Sequence, residues 1–218
     1  MEEKRLFDIL KLYVAKYPNQ EVALARKDGG NWRKYSIQEY IEITNNLSYA
    51  FIKLGIKKND KVAVICNNRP EWNMLDMAIM QVGAITVPIY PTISREDYLY
   101  IINDCEVKLV VLEGQSVLQK IESVKDDTPS LTSIYTVKTK SDYPTFEQLV
   151  EIGKNNPNPE ELKNREDNVD EKDCATIIYT SGTTGNPKGV MLSHFNIMSQ
   201  LHNLKQTPSP WSKKAFSF

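Results

Sequence analysis

At 218 residues and 25.0 kDa the chain is long enough to bury a real core, as one large domain or two small ones. Apolar residues make up 41% and charged residues 25%, as in soluble globular proteins, and the net charge of -1 argues against a nucleic-acid surface, which needs clustered excess Lys and Arg. The longest apolar stretches, such as GAITVPIY, are far too short to cross a bilayer, and the opening MEEKRLFDIL lacks the basic, apolar and small-residue order of a signal peptide.

Cys66, Cys105 and Cys174 are isolated, with no CxxC, so neither a disulfide framework nor a zinc site is signalled. Each reads as a small core residue in a reducing cytoplasm.

In chain order, Arg5 to Lys16 reads as a helix with Leu6, Leu10, Tyr13 and Val14 along one face. A hairpin follows around Gly29 and Gly30. Ser36 and Glu39 have the capping-box spacing, so a helix starts there and ends at Gly55. KVAVIC is a buried strand. Pro70 suits the first turn of the next helix, which is apolar nearly all round and therefore buried. The plainer role of its methionines is core filling rather than a lipid-binding surface. AITVPIY is the next strand, then a helix capped by Ser94 through Asp104, then the strand VKLVVLE. A helix from Ser116 to Val124, the strand SIYTVK and a helix from Thr145 to Ile152 complete the pattern. Alternating strands and helices predict an α/β fold with a largely parallel sheet.

Residues 154–173 are polar and acidic and read as a loop or linker with a solvated face rather than a metal site. The division is then 1–153, the linker 154–173, and 174–218. CATIIYT and KGVML read as strands on either side of a glycine-rich loop, and Ser193 caps a helix running towards Leu204. At the end, Phe216 and Phe218 alternate as in a strand with no partner segment after it, which suggests a piece of a longer fold.

The loop in YTSGTTGNPKGVMLSH is the most concentrated chemical feature. Gly182, Gly185 and Gly189 allow backbone amides to approach an anion closely. Thr180, Ser181, Thr183 and Thr184 offer hydroxyls, which can also ligate Mg²⁺, and Lys188 supplies a point charge. The spacing excludes the Walker loop, because Lys188 is followed by Gly189 and not by Ser or Thr. G-x-G-x-x-G is also absent. The plainer alternative, a flexible turn between strands, does not account for glycines, hydroxyls and lysine in one short order.

The segment Tyr179 to Val190 closely resembles, at each position, the phosphate-binding signature of the adenylate-forming superfamily, the AMP-forming acyl-CoA synthetases and their relatives. KYSIQEY and the stretch from NDKVAVICNNRPEW to GAITVPIYPT also resemble that superfamily, with long-chain fatty acyl-CoA synthetases the nearest in texture. The resemblance implies an incomplete N-terminal part of a layered sheet-and-helix adenylation domain, with 174–218 opening the next subdomain. It implies activation of a fatty acid carboxylate by ATP to acyl-adenylate, then transfer to coenzyme A.

The same resemblance gives nucleotide contacts at Thr180, Ser181, Gly182, Thr183, Thr184, Gly185 and Lys188, with Thr180 as the Mg²⁺ contact. No catalytic residue is assigned within the chain, because the family's catalytic lysine and ribose-binding aspartate belong to later segments. His194 and His202 read as surface or packing residues. The implied partners are fatty acid, ATP, coenzyme A and the C-terminal remainder of the same enzyme, with no nucleic acid. Peripheral membrane contact of the whole protein stays open. The alternatives are another AMP-forming acid–thiol ligase, or a short non-catalytic nucleotide-binding module.

Overall fold

A computed structural model describes residues 3–180 and 185–206, the last three by backbone alone. Helix α1 (Asp8–Lys16) is followed by strands β1 (Leu24–Asp28) and β2 (Asn31–Tyr35), an antiparallel hairpin turning on Gly29 and Gly30 at positive φ. Helix α2 (Ile37–Lys53) begins at Ser36 with the expected capping box. The Glu39 N–H donates to Ser36 Oγ at 3.1 Å and the Ser36 N–H to Glu39 Oε2 at 2.9 Å.

Next come β3 (Lys61–Ile65), α3 (Pro70–Gln81), β4 (Ile85–Pro88), α4 (Arg95–Asp104), β5 (Val107–Glu113) and α5 (Gln115–Val124). β6 (Ser133–Val137), α6 (Phe146–Lys154), α7 (Pro159–Asp167), β7 (Cys174–Thr180), β8 (Lys188–Ser193) and α8 (His194–Gln206) complete the α-helices and strands of the described residues.

Six strands form one sheet in the order β6-β5-β3-β4-β7-β8. Every pairing is parallel except β7 with β8. The fold is thus α/β with a largely parallel sheet, as the alternation of elements predicts. Period two along the strands sorts side chains to two faces. Val62, Val64, Leu109 and Val111 join one apolar cluster with α2, α3 and α6. Ala63, Ile65, Val110 and Leu112 join the other with α4 and α5. Phe51, Leu75 and Ile121 are fully buried, each contributing about 1.5–3 kcal/mol of hydrophobic stabilisation.

Residues 154–173 differ from the expected loop, because α7 occupies their middle. Asn158 caps it, accepting from the Glu161 N–H at 3.2 Å, and Pro159 opens its first turn. Its inward residues are few. Leu162 enters the first apolar cluster. The nearly buried Glu166 accepts from Lys11 Nζ at 2.6 Å and from Gln81 Nε2 at 3.2 Å. Two inward positions in one short helix are too few to show as apolar periodicity.

The contact between α2 and α6 is unusually close. A Cβ on Gly153 would lie 1.7 Å from the Asn46 carbonyl oxygen, backbone that cannot step aside without moving a helix. Gly153→Ala is therefore expected to cost about 3 kcal/mol or more. Urea unfolding followed by circular dichroism measures this; an unshifted midpoint would show that the helices separate freely.

Candidate phosphate site

The sequence places the signature loop between β7 and β8, and the structure makes those strands an antiparallel hairpin. The register pairs Ile178 with Val190, Tyr179 with Gly189 and Thr180 with Lys188. Thr180 and Lys188 therefore face each other where the loop leaves the strands, and both are exposed. β7 runs parallel to β4, so Thr180 ends at the carboxyl edge of the sheet, where α/β proteins hold ligands. Gly185 has φ +92°, a left-handed conformation that a residue with Cβ rarely adopts. Ser181, Gly182, Thr183 and Thr184 lie outside the described residues.

Gly189 has a role beyond the one read from sequence. A Cβ there would meet Ile177 Cγ2 at 2.9 Å and the Tyr179 ring at 3.1 Å. Tyr179 lies across the glycine, and its hydroxyl donates to Asp104 Oδ2 at 2.5 Å. Burial, with the Asp104 carboxylate beside it, raises the Tyr179 phenol above its ordinary value.

Beyond β8, Ser193 caps α8 reciprocally with Asn196. The Asn196 N–H donates to Ser193 Oγ at 3.1 Å and the Ser193 N–H to Asn196 Oδ1 at 2.9 Å. His194 is a packing residue, only 2% exposed. Its Nδ1 accepts from the Leu6 N–H at 3.3 Å, and its ring meets Phe7 edge-on. Burial, reinforced by Arg5, lowers its pKa to about 4 against the opposing pull of Asp173 and Asp8. His202 is half-buried on α8.

The chemistry available at the hairpin mouth is a hydroxyl, an ammonium and a glycine turn. Those groups suit a polyphosphate better than a nucleophilic reaction, because among the described residues no base or thiolate accompanies them. Among the described residues no group of three or more His, Cys, Asp or Glu could hold a metal ion. A divalent ion here would depend on phosphate oxygens and neutral donors such as the Thr180 hydroxyl.

A second opening at the carboxyl edge, lined by Asn67, Arg69 and Glu113 among others, carries an anion of the protein's own. The strand order reverses at β3, and the crevice between the ends of β3 and β5 holds the Glu113 carboxylate. Its Oε2 accepts from the Asn67 N–H at 3.1 Å and Asn67 Nδ2 at 3.3 Å, and its Oε1 from Arg69 Nη1.

Comparison with known proteins identifies the family. A family model described as AMP-binding enzyme matches residues 10–216. The chain is 39% identical over 181 residues to the long-chain-fatty-acid–CoA ligase ACSBG2 of Xenopus laevis, covering 81% of this chain and 24% of that protein. It is 30% identical over 197 residues to fatty acyl-CoA synthetase A of Dictyostelium discoideum, covering 85% of this chain and 28% of that one. The chain thus spans about a quarter of the length of the curated relatives it matches. In fold it resembles the crystal structure of a long-chain-fatty-acid-CoA ligase, FadD1, of Archaeoglobus fulgidus. The TM-score is 0.74 at 24% identity, over 94% of this chain and 40% of that one.

Two outcomes test the site's architecture. Gly189→Ala should displace the Tyr179 ring and destabilise the hairpin by about 1–3 kcal/mol, read as faster amide hydrogen exchange across β7 and β8; unchanged exchange would mean that the ring yields without cost. His194 links stability to acid. Its folded pKa lies below the unfolded value, so its contribution is fully present above pH 6.5 and is lost as the pH falls through about 4. The loss amounts to roughly 3 kcal/mol. His194→Gln should flatten the decline of the urea midpoint between those pH values, and an identical slope in both proteins would assign the decline to other groups.

Proposed function

The chain belongs to the AMP-binding enzyme family, and we propose that it is the N-terminal part of a long-chain fatty acid–CoA ligase. The observation that carries this reading is the hairpin that presents Thr180 and Lys188 side by side at the sheet's carboxyl edge, with the family match running through it. In the proposed reaction a fatty acid carboxylate attacks the α-phosphate of ATP, forming acyl-adenylate and releasing pyrophosphate. Coenzyme A then attacks the acyl carbon through its thiol and releases AMP.

In-line displacement at phosphorus asks the protein for position and charge neutralisation. Lys188 would hold the β- and γ-phosphates as the leaving pyrophosphate gains charge. The backbone of Gly182 and Gly185 and the hydroxyls of Ser181, Thr183 and Thr184 would surround the same oxygens. Bound Mg²⁺ neutralises phosphate charge, and Thr180 is its proposed contact in this chain.

Residues 1–153 would be the N-terminal α/β part of the adenylation domain, and 174–218 would lead on to the rest of the enzyme. Acyl recognition and thiol transfer would rest on that remainder. No helix among the described residues is long and apolar enough to cross a membrane. We place the protein in the cytoplasm, where the free Cys66, Cys105 and Cys174 would stay reduced.

The test is ATP–pyrophosphate exchange by the full-length protein across acids of different chain length. Exchange that depends on long-chain acids is expected, and nucleotide binding without exchange for any acid would favour a non-catalytic module. Lys188→Ala should slow adenylation by about ten- to a hundredfold while leaving the fold intact. A wild-type rate in that variant would remove Lys188 from the phosphate site.

A further inference from the structure

The phosphate hairpin is the last pair of strands at one end of the sheet. β8 pairs only with β7 among the described strands. β7 in turn meets β4 through a single register pair, Thr86 with Thr176, supported by a Thr176 hydroxyl bond to the Thr86 carbonyl at 2.9 Å. From Ile177 to Thr180 the strand pairing among the described residues is with the hairpin's own second arm, while Ile177 packs in the second apolar cluster with Ile85 and Val87 of β4. That outer half is the part that sets the direction of Thr180 and Lys188.

Besides the packing of Ile177 and Tyr179 on the second apolar cluster, a side-chain hydrogen bond ties this half to α4. Tyr179 Oη donates to Asp104 Oδ2 at 2.5 Å, across 75 positions of sequence. Asp104 is the last residue of α4, and its Oδ1 accepts from Tyr100 Oη at 3.3 Å, one helical turn earlier. α4 is itself fixed by Tyr98, Ile101 and Ile102, which are buried in the second apolar cluster. The Tyr179 ring is held from the other side by the absence of a Cβ on Gly189, its cross-strand partner. Ring, glycine and carboxylate thus pin one residue of the outer hairpin to a rigid helix.

We propose that Asp104 is a positioning residue for the phosphate loop, acting through Tyr179 to fix the hairpin base from which Thr180 and Lys188 project. The proposal rests on the adenylation reading above. Its physical basis is leverage: a hydrogen bond to a carboxylate is stronger than one between neutral groups. A misplacement of about 1 Å at a phosphate contact can cost on the order of a hundredfold in rate. Asp104 is exposed and touches no substrate in this arrangement, so its effect passes through the tyrosine.

The experiment is a double-mutant cycle in the full-length protein, with Asp104→Ala, Tyr179→Phe and the pair. Each single change should raise KM for ATP about three- to tenfold, leave KM for the fatty acid unchanged, and slow adenylation. The double variant should be no worse than either single one, and Asp104→Glu should recover part of the loss. Unchanged KM for ATP, or effects that multiply, would overturn the proposal. If the wild-type protein shows no exchange with any acid, it is the adenylation reading that falls. Amide hydrogen exchange then decides the tether separately. Asp104→Ala and Tyr179→Phe should both speed exchange in 177–180 and 188–191 while β3 and β5 keep wild-type protection, and equal exchange in all proteins would refute it.

Discussion

Parallel strands must be joined by crossovers, and each crossover between β3 and β6 lays a helix on one face of the sheet. α3 falls on the side of α2 and α6, while α4 and α5 fall on the other. Both faces are therefore covered. This is why KVAVI and VKLVVLE are almost continuously apolar rather than alternating. A sheet closed on both faces leaves a ligand only the strand ends. The carboxyl ends are favoured there, because loops with unpaired amides gather at them.

That edge has two openings, and the chain treats them differently. Between β3 and β5 the strand order reverses, the place where such sheets ordinarily hold a ligand. Glu113 puts a carboxylate there and Asn67 and Arg69 bind it, so the protein supplies its own anion. At the other opening β8 turns back antiparallel to β7. The register places Thr180, a hydroxyl, opposite Lys188, an ammonium, with no carboxylate in that pair. An external polyphosphate meets a competing carboxylate at the first opening, whereas among the described residues Lys188 at the second belongs to no ion pair shown by the structure.

Much of this was legible in the sequence, for identifiable reasons. β-branched runs gave β3, β5 and β7, and the Ser36–Glu39 spacing and the Ser94 cap gave two helix starts, both of which the structure closes as capping boxes. α7 was not legible as apolar periodicity, since Leu162 is its one buried apolar residue and a buried Glu166 does much of the docking. The available signal was Asn158 before Pro159 with acidic residues in the first turn. At the site, residue types announced phosphate chemistry, but the facing of Thr180 and Lys188 depends on register. The packing of Tyr179 over Gly189 and its bond to Asp104 depend on tertiary contact. The expected terminal strand with Phe216 and Phe218 lies outside the described residues.

The β1–β2 hairpin shares no strand pairing with the main sheet, so something else must set its position. Tyr35 and Leu24 pack it on the first apolar cluster, and an alternating series of charges adds to that, running Glu113, Arg69, Glu71, Arg26, Asp28, Lys138. Glu71 is its centre and is only 2% exposed. Burial pushes its carboxyl up, yet hydrogen bonds from Arg69 and the charges of Arg69 and Arg26 together hold it below the usual carboxylate range. Such a series gains little net stability, because desolvating each ion offsets most of the attraction. Arg26 Nε, buried without an acceptor, adds to that cost. What the series does supply is register. A shift of the hairpin would break the Arg26–Glu71 pair and leave the buried Glu71 to Arg69 alone. The ions act less as glue than as a penalty on every other placement of β1 and β2.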